Sequence, residues 1–345
     1  MSDRPDAGTP TVRERPQRNL ALELVRATES AAIVAARHTD PGDREAAGPA
    51  AAGAMGLVLQ TLEMDGVIVV GEGEKGVAPR LYHGQAIGSG RPPAVDVAVD
   101  PIEGTPARAL GRPNTLSVAA LAERWSMWQP GPSVYVEQIA VGRAARDAID
   151  LRLRPADNLL RIAATLGCRV QDLTVFVLDK PRHAGLVREL SEAGAQVRLN
   201  TGGFILGAML AALPDAGVDV MISIGRASEA VLAAAAVVAL DGALQIRRAP
   251  QSEAEQAAVQ AALGPRASEV LAASDLVRSD DVFFAATGLT DGGLLRGVQF
   301  GRDGVTTESV VMRARSGTVR YVRAIHRLDK LMRFSQIDYT GQGRP

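Results

Sequence analysis

Two acidic turns could carry chemistry, because each directly follows a short aliphatic run of the kind that forms a buried strand. They read Gly71-Glu-Gly-Glu74 and Asp100-Pro-Ile-Glu-Gly-Thr105. Carboxylates are the ligands that Mg²⁺ and Mn²⁺ prefer, and such an ion can polarise a phosphoryl oxygen and lower the pKa of a bound water. Pro101 stiffens the second turn, Gly104 lets a ligand approach the backbone, and the Thr105 hydroxyl is suited to orienting water or phosphate. The pattern favours two readings, a metal site for phosphate chemistry and a structural turn rich in acids.

The elements that would position these turns follow from hydrophobic periodicity. Helical spacing predicts two helices before the first turn, over 19–38 and 43–64, the second with Asp43 as its N-cap. Aliphatic runs predict strands at 67–70, 95–100, 115–122, 173–178, 196–199, 218–223, 281–286, 310–315 and 318–325. Further helices are predicted at 155–166, 181–193, 204–213 and 229–240. The alternation after residue 150 predicts an α/β protein with a parallel or mixed sheet covered by helices.

Length and composition limit the number of folded units in the chain. The 345 residues, 46% of them hydrophobic, suffice for two packed halves, which we expect over 19–150 and 151–330. We expect a disordered tail over 1–18 and a loose tail over 331–345.

Charge and cysteine content exclude several classes of protein. The net charge of −1 argues against a nucleic-acid binder. The single cysteine, Cys168, excludes an intrachain disulfide and a cysteine-rich metal site. No run is apolar enough to span a bilayer, and the N-terminal residues lack the apolar core of a secretory signal. We therefore expect a cytoplasmic protein without a membrane or nucleic-acid partner.

Six motifs in order along the chain resemble those of the class II fructose-1,6-bisphosphatases, within the lithium-sensitive sugar and inositol phosphatase superfamily. They are Gly71-Glu-Gly-Glu74, Val99-Asp-Pro-Ile-Glu-Gly-Thr105, Gly111-Arg-Pro-Asn114, Tyr135-Val-Glu137, Asp179-Lys-Pro-Arg-His183 and Ala285-Ala-Thr-Gly288. The resemblance implies a layered α/β/α/β/α sandwich with mixed sheets, a metal and phosphate half followed by a sugar-binding half. It also implies hydrolysis of the 1-phosphate of fructose 1,6-bisphosphate with Mn²⁺ or Mg²⁺, and it raises the expectation of a homo-oligomer.

The same resemblance implies roles for individual residues. The metal-binding carboxylates would be Glu72, Asp100, Glu103 and Glu229. Thr105 would position the attacking water, with Glu72 beside it as the second catalytic residue. Substrate contacts would come from Glu103, Gly104, Thr105, Tyr135, Lys180, Arg182, His183 and Arg226.

The chain departs from the family pattern at grouped positions. Gly48 stands where the family has a metal-binding aspartate, and Gly76 where it has a catalytic one. The sugar-binding Asp-Gly-Asp triplet is replaced by 202–204, which places Gly202 and Phe204 at the two acids. Arg226 replaces a glycine. Losing acids around the first metal implies a single bound ion rather than two.

These departures leave three hypotheses open. The first is a fructose-1,6-bisphosphate 1-phosphatase that releases fructose 6-phosphate and phosphate. The second is the same chemistry on another sugar or a cyclitol phosphate, since a site that loses hydroxyl-binding acids changes its selectivity. The third is a catalytically inactive paralogue with a binding or regulatory role.

Overall fold

The structure is a computed structural model that describes residues 20–38, 44–104, 111–302 and 304–339. The tail predicted over 1–18, the predicted cap Asp43 and Thr105, which the resemblance implies would position water, lie outside the described residues.

The strands form two mixed sheets. Their bounds are β1 (Asp65–Val70), β2 (Ala86–Ile87), β3 (Ala94–Asp100), β4 (Leu116–Glu123), β5 (Tyr135–Val141), β6 (Thr174–Leu178), β7 (Gln196–Asn200), β8 (Val220–Arg226), β9 (Ala243–Arg248), β10 (Val270–Ala272), β11 (Phe283–Gly288), β12 (Gln299–Gly301), β13 (Gly304–Arg313) and β14 (Thr318–His326). The first sheet has the order β12-β13-β11-β4-β3-β1-β2, with β14 paired to β13, and the second has the order β10-β9-β5-β8-β6-β7. β1 is parallel to β3, and β6 is parallel to both β7 and β8.

The helices lie on both sides of each sheet. Their bounds are α1 (Ala21–Ala35), α2 (Arg44–Leu59), α3 (Pro155–Leu166), α4 (Ala184–Glu192), α5 (Phe204–Ala212), α6 (Ala227–Ala239), α7 (Glu253–Leu263), α8 (Ala273–Leu276) and α9 (Leu328–Phe334). None of the helices in the described ranges is long and apolar enough to cross a bilayer.

Alternating strand residues produce five layers. In β6, Phe176 faces a cluster that contains α5 and α6, whereas Val175 and Val177 face a cluster that contains α3 and α4. In β3, Ala98 faces α5 and α6, and Val97 faces α1 and α2. Because α5 and α6 are apolar around their whole circumference, they pack between the two sheets. The predicted α/β/α/β/α sandwich is confirmed.

Several elements were not predicted by the periodicity, among them β2, β5, β10, β12 and α7. The pattern does not reveal β5, because Glu137 and Gln138 stand together at its centre. Gln138 is nevertheless fully buried, and its Nε2 donates to the Met221 sulfur at 3.1 Å. Part of the C-terminal tail is packed, since Ile337 and Tyr339 are buried against the cluster around α1. Apolar side chains in a polar tail are enough to dock it.

The strand directions bring the predicted site residues to one place. β1 and β3 are parallel, so Glu72 and Asp100 follow the same edge of the first sheet. β6 and β8 are parallel, so Lys180 and Arg226 lie at one edge of the second sheet. Tyr135, at the start of the antiparallel β5, is directly opposite Arg226. α6 begins immediately after Arg226, and its first turn therefore joins the two edges.

Candidate active site

The two acidic turns line one cavity of about 170 Å³. Glu72 from the first turn and Asp100 from the second face it together with Glu229 from the first turn of α6. The backbone N–H of Arg226 donates to Glu229 Oε2 at 3.2 Å, which fixes that carboxylate at the positive end of the helix. Three carboxylates from three separate elements thus share one small space.

These carboxylates disfavour one another's charge. Burial raises the pKa of Asp100 well above its usual range, and the charges of Glu229, Glu72 and Glu103 raise it further. Loss of surrounding water also raises the pKa of Glu229 and that of Glu72, although Glu72 remains open to solvent on one side. The guanidinium of Arg226 acts in the opposite direction on the pKa of all three. The cluster therefore favours an additional cation.

Glu103 lies deeper, with 5% of its surface exposed. Its Oε1 accepts hydrogen bonds from the backbone N–H groups of Ile205 at 2.7 Å and Leu206 at 3.4 Å, and so caps α5. Its Oε2 has no hydrogen-bond partner among the described residues. Burial, helped by the charge of Glu229, raises the pKa of Glu103 to about 8. A buried carboxylate oxygen without a partner is costly unless a proton or a cation meets it.

The donor set fits a hard divalent cation. Glu72, Asp100 and Glu229 offer anionic oxygens, and Glu103 Oε2 is an acceptor still to be satisfied. Over the part of the chain that the structure describes, no three His, Cys, Asp or Glu side chains are already close enough to hold an ion. The residues suit Mg²⁺ or Mn²⁺ by their chemistry, without a preformed cage.

A second cavity of about 250 Å³ carries the opposite charge. Lys180 Nζ and an Arg112 guanidinium nitrogen both donate to the backbone carbonyl of Thr201, at 3.1 Å and 2.7 Å. The Arg182 guanidinium lies 5.3 Å from the centre of the Tyr135 ring, a cation–π distance. Side chains of this kind, gathered around one cavity, suit the oxygens of a phosphate group.

Three residues line both cavities: Gly104, Arg226 and Glu229. Gly104 has a φ of +93°, in the left-handed region that favours glycine, so the second acidic turn depends on it. The acidic and basic cavities therefore adjoin one another at these three residues.

His183 does not line either cavity. Its ring is 1% exposed, and its Nε2 accepts the backbone N–H of Ile224 at 2.9 Å. Nδ1 therefore carries the proton and donates to the Leu178 carbonyl at 2.6 Å. The ring connects the exits of β6 and β8, so the structure assigns His183 to positioning these strand ends. The substrate contact that the resemblance implies for His183 stays a prediction.

The buried imidazole should make stability depend on pH. Burial lowers the pKa of His183 below its usual value, so the unfolded chain binds the proton more readily than the folded one. This contribution is present above about pH 6.5, the unperturbed histidine value, and is lost as the pH falls through the lowered pKa. In urea unfolding between pH 7.5 and 5.5, His183→Gln should show a smaller loss of unfolding free energy than the wild type. Equal slopes for the two proteins would contradict the neutral, doubly bonded ring.

Comparison with known proteins identifies the family. The family model described as bacterial fructose-1,6-bisphosphatase, glpX-encoded, matches residues 18–326. The chain belongs to this family. It is 41% identical over 332 residues to a class 2 fructose-1,6-bisphosphatase of Haemophilus influenzae, covering 93% of this chain and 99% of that protein. It is 40% identical over 326 residues to fructose-1,6-bisphosphatase 1 class 2 of Escherichia coli K12, covering 91% and 97%. The resemblance carried by the six motifs is confirmed.

Members of this bisphosphatase family are metal-dependent. The positions at which the resemblance implies an acid and this chain has glycine therefore bear on metal binding. Gly48 lines the acidic cavity together with Glu72 and Asp100, so the carboxylate that the resemblance implies at this position would face the same space. Gly76 is exposed and lines neither cavity. Of these two positions, Gly48 is therefore the one that contacts the acidic cavity.

The two changed sugar positions behave differently. Gly202 lies on the wall of the basic cavity with open space around it. Phe204 also contributes to that wall, but its ring is 2% exposed and belongs to the core between the sheets. The Phe204 side chain is thus mostly directed into the core and away from the cavity.

Arg112 and the Thr201 carbonyl were not assigned roles from the sequence. Arg112 belongs to the family motif Gly111-Arg-Pro-Asn114, so a signal existed, but its pairing with Thr201 depends on the fold. The Thr201 carbonyl carries no signal in the side-chain sequence. Both are needed to explain why the cations of the basic cavity converge.

Proposed function

We propose that this chain is a fructose-1,6-bisphosphatase that hydrolyses the 1-phosphate of fructose 1,6-bisphosphate, with Mn²⁺ or Mg²⁺, in the cytoplasm. The observation that carries the proposal is the pair of adjoining cavities of opposite charge, joined by Gly104, Arg226 and Glu229. A substrate with a phosphate at each end matches two such cavities. Assembly as a homo-oligomer stays a prediction.

The acidic cavity would hold one divalent ion through Asp100 and Glu229, with Glu72 nearby, and Glu103, which lines the adjoining basic cavity, would be the third ligand. When bound, the ion supplies Lewis-acid polarisation of the phosphoryl group and a water of lowered pKa. Glu72, whose pKa is itself raised, is suited to accept a proton from the attacking water. Thr105, which the family pattern places beside that water, lies outside the described residues.

The basic cavity would hold the phosphate that is not cleaved. Lys180 and Arg112 are anchored by one carbonyl, so their charges are pre-positioned before the substrate arrives. Arg182 is braced by its bond to the Ile224 carbonyl at 2.8 Å and by the Tyr135 ring. By holding one phosphate in place, these side chains would fix how far the other phosphate lies from the acids and how it is oriented toward them. Hydrolysis requires such positioning.

Phosphate release from a panel of esters tests the proposal. The panel holds fructose 1,6-bisphosphate, fructose 6-phosphate and an inositol monophosphate, each with Mn²⁺, with Mg²⁺ and with EDTA. We expect one equivalent of phosphate from the bisphosphate, dependence on the metal, and little release from fructose 6-phosphate. Preference for the cyclitol ester would contradict the proposed substrate but keep the chemistry.

A second candidate, a phosphatase for another sugar or cyclitol phosphate, is favoured by one observation. The wall of the basic cavity has Gly202 and the buried Phe204 where the family pattern has two acids. Fewer acceptors for sugar hydroxyls remain there. No release from any ester by a folded protein would instead support the inactive paralogue with a binding role.

A further inference from the structure

Two residues that line the acidic cavity differ from the pattern that the resemblance implies. Gly48, on α2, is part of its wall, at a position where the resemblance implies a metal-binding aspartate, and Arg226 stands where it implies a glycine. Among the described residues that line this cavity, Arg226 is the one that carries a positive charge. Both changes concern the same small space, and their effects on its charge have the same sign.

Arg226 is held in place at the backbone. It is the last residue of β8, where it pairs with Tyr135 of β5, and its N–H donates to Glu229. Its side chain lines both cavities. Arg226 lines the acidic cavity together with Glu72, Asp100 and Glu229, and its positive charge favours the ionised form of all three carboxylates, as an ion bound there would.

We propose that the guanidinium of Arg226 takes the place of one of two metal ions, so that the chain works with a single divalent ion bound by Asp100, Glu103 and Glu229. The inference relies on the proposed function for its phosphate ester. The number of divalent ions bound per chain can be measured without any substrate.

The two kinds of cation are not equivalent. A guanidinium keeps its charge at every physiological pH and can donate two parallel hydrogen bonds to phosphoryl oxygens. It can therefore neutralise the group being transferred, as arginine does in other phosphoryl-transfer sites. It does not lower the pKa of a bound water as a divalent ion does, so a metal remains necessary. One ion and one arginine can thus share the work of two ions.

Counting bound manganese tests the inference directly. In equilibrium dialysis against Mn²⁺, read by elemental analysis, the wild type should bind one ion per chain at saturation. Gly48→Asp combined with Arg226→Gly restores the family pattern at both positions and should bind two. Each single variant should stay at one, since Gly48→Asp alone keeps the guanidinium and Arg226→Gly alone still lacks the carboxylate.

Two matched variants separate charge and place from general effects. Arg226→Lys keeps a positive charge at the position and should bind one ion. Arg112→Gln removes a cation that lines only the basic cavity and should also bind one ion. Thermal unfolding of every variant confirms that the counts refer to folded protein.

Turnover gives the second readout. At saturating Mn²⁺, Arg226→Gly should lower kcat about 10²-fold, as expected for removing a donor to a developing phosphoryl charge. The double variant should regain part of this loss, at higher Mn²⁺ concentration. If the double variant does not fold, the wild-type count and the turnover of Arg226→Gly still decide the matter.

Several outcomes would overturn the inference. They are a wild type that binds two ions or none, a folded double variant that binds only one, and an unchanged kcat for Arg226→Gly. A wild type that releases no phosphate from any ester would contradict the proposed function instead. In that case the manganese counts alone test whether Arg226 substitutes for an ion.

Discussion

Asp100→Asn is expected to lower kcat/KM for fructose 1,6-bisphosphate about 10³-fold and to leave the metal-free protein at least as stable as the wild type. The carboxylate lines the acidic cavity together with Glu72 and Glu229, so the change removes one of the anionic ligands for the ion. Losing one preorganised group that acts on developing charge costs 10²–10³ or more in comparable sites, roughly 3–4 kcal/mol. Initial rates at saturating Mn²⁺ measure the first effect.

The stability effect has the opposite sign because the acids repel one another. Burial and three neighbouring carboxylates raise the pKa of Asp100, so its charged form weakens the folded state. A neutral amide of the same shape removes that repulsion. Thermal unfolding in EDTA should therefore give a Tm equal to or above that of the wild type. This combination of lost turnover and retained stability is expected of a functional acid cluster.

Asp96→Asn is the matched control, since Asp96 is a buried aspartate on the same strand. Its Oδ2 accepts the Met127 backbone N–H at 3.0 Å, and its Oδ1 lies 3.8 Å from the Arg124 guanidinium. Here the charge has a partner, so the variant should lose stability and keep its turnover. If Asp100→Asn behaved like this control, the acidic cavity would be structural and the ion-binding role would be wrong.

The α/β class could be predicted from local rules that the well-marked elements satisfy, whereas the layered sandwich was implied by the family resemblance. The helix predicted over 155–166 has the observed bounds, since Pro155 opens it and Gly167 closes it in the left-handed conformation. The periodicity did not predict β5, because the buried Gln138 donates its Nε2–H to a sulfur on another strand, a contact that no window of sequence contains. Local periodicity reports burial, and it fails where a polar group is buried with a distant partner.

The residue types at the candidate site could be predicted from the sequence, but the directions of their side chains could not. The acids and cations are named by motif, and strand direction explains why they meet. His183 and Phe204 show the limit, because both stand in site motifs while their side chains are buried. Their direction is set by Ile224 for the histidine and by the space left at Gly225 for the phenylalanine, both on β8. Such long-range pairings are the part that the sequence alone leaves open.

Gly225→Ala is expected to destabilise the protein by about 3 kcal/mol, at the upper end of overpacking costs, and to lower turnover as well. A methyl group at this position would lie 2.2 Å from Cδ2 of Phe204. The ring is 2% exposed within the core between the sheets, so it has no free space into which to move. β8 must shift instead, and Arg226, the next residue, would move with it. Urea unfolding and steady-state kinetics measure the two effects.

Phe204→Ala should partly rescue Gly225→Ala, because alanine lacks the Cγ, Cδ2 and Cε2 atoms that a methyl group would meet. Alone it should cost stability by leaving a cavity, so the double variant should be more stable than the sum of the single changes predicts. Gly202→Ala is the matched control, since no described atom lies within 4 Å of a Cβ there and the variant should unfold within about 0.5 kcal/mol of the wild type. Additive effects at 204 and 225 would contradict the close approach. A double variant that is more stable than the two single changes predict would mean that Phe204 helps to set the position of Arg226. The residue at the sugar position would then influence the charge in the acidic cavity.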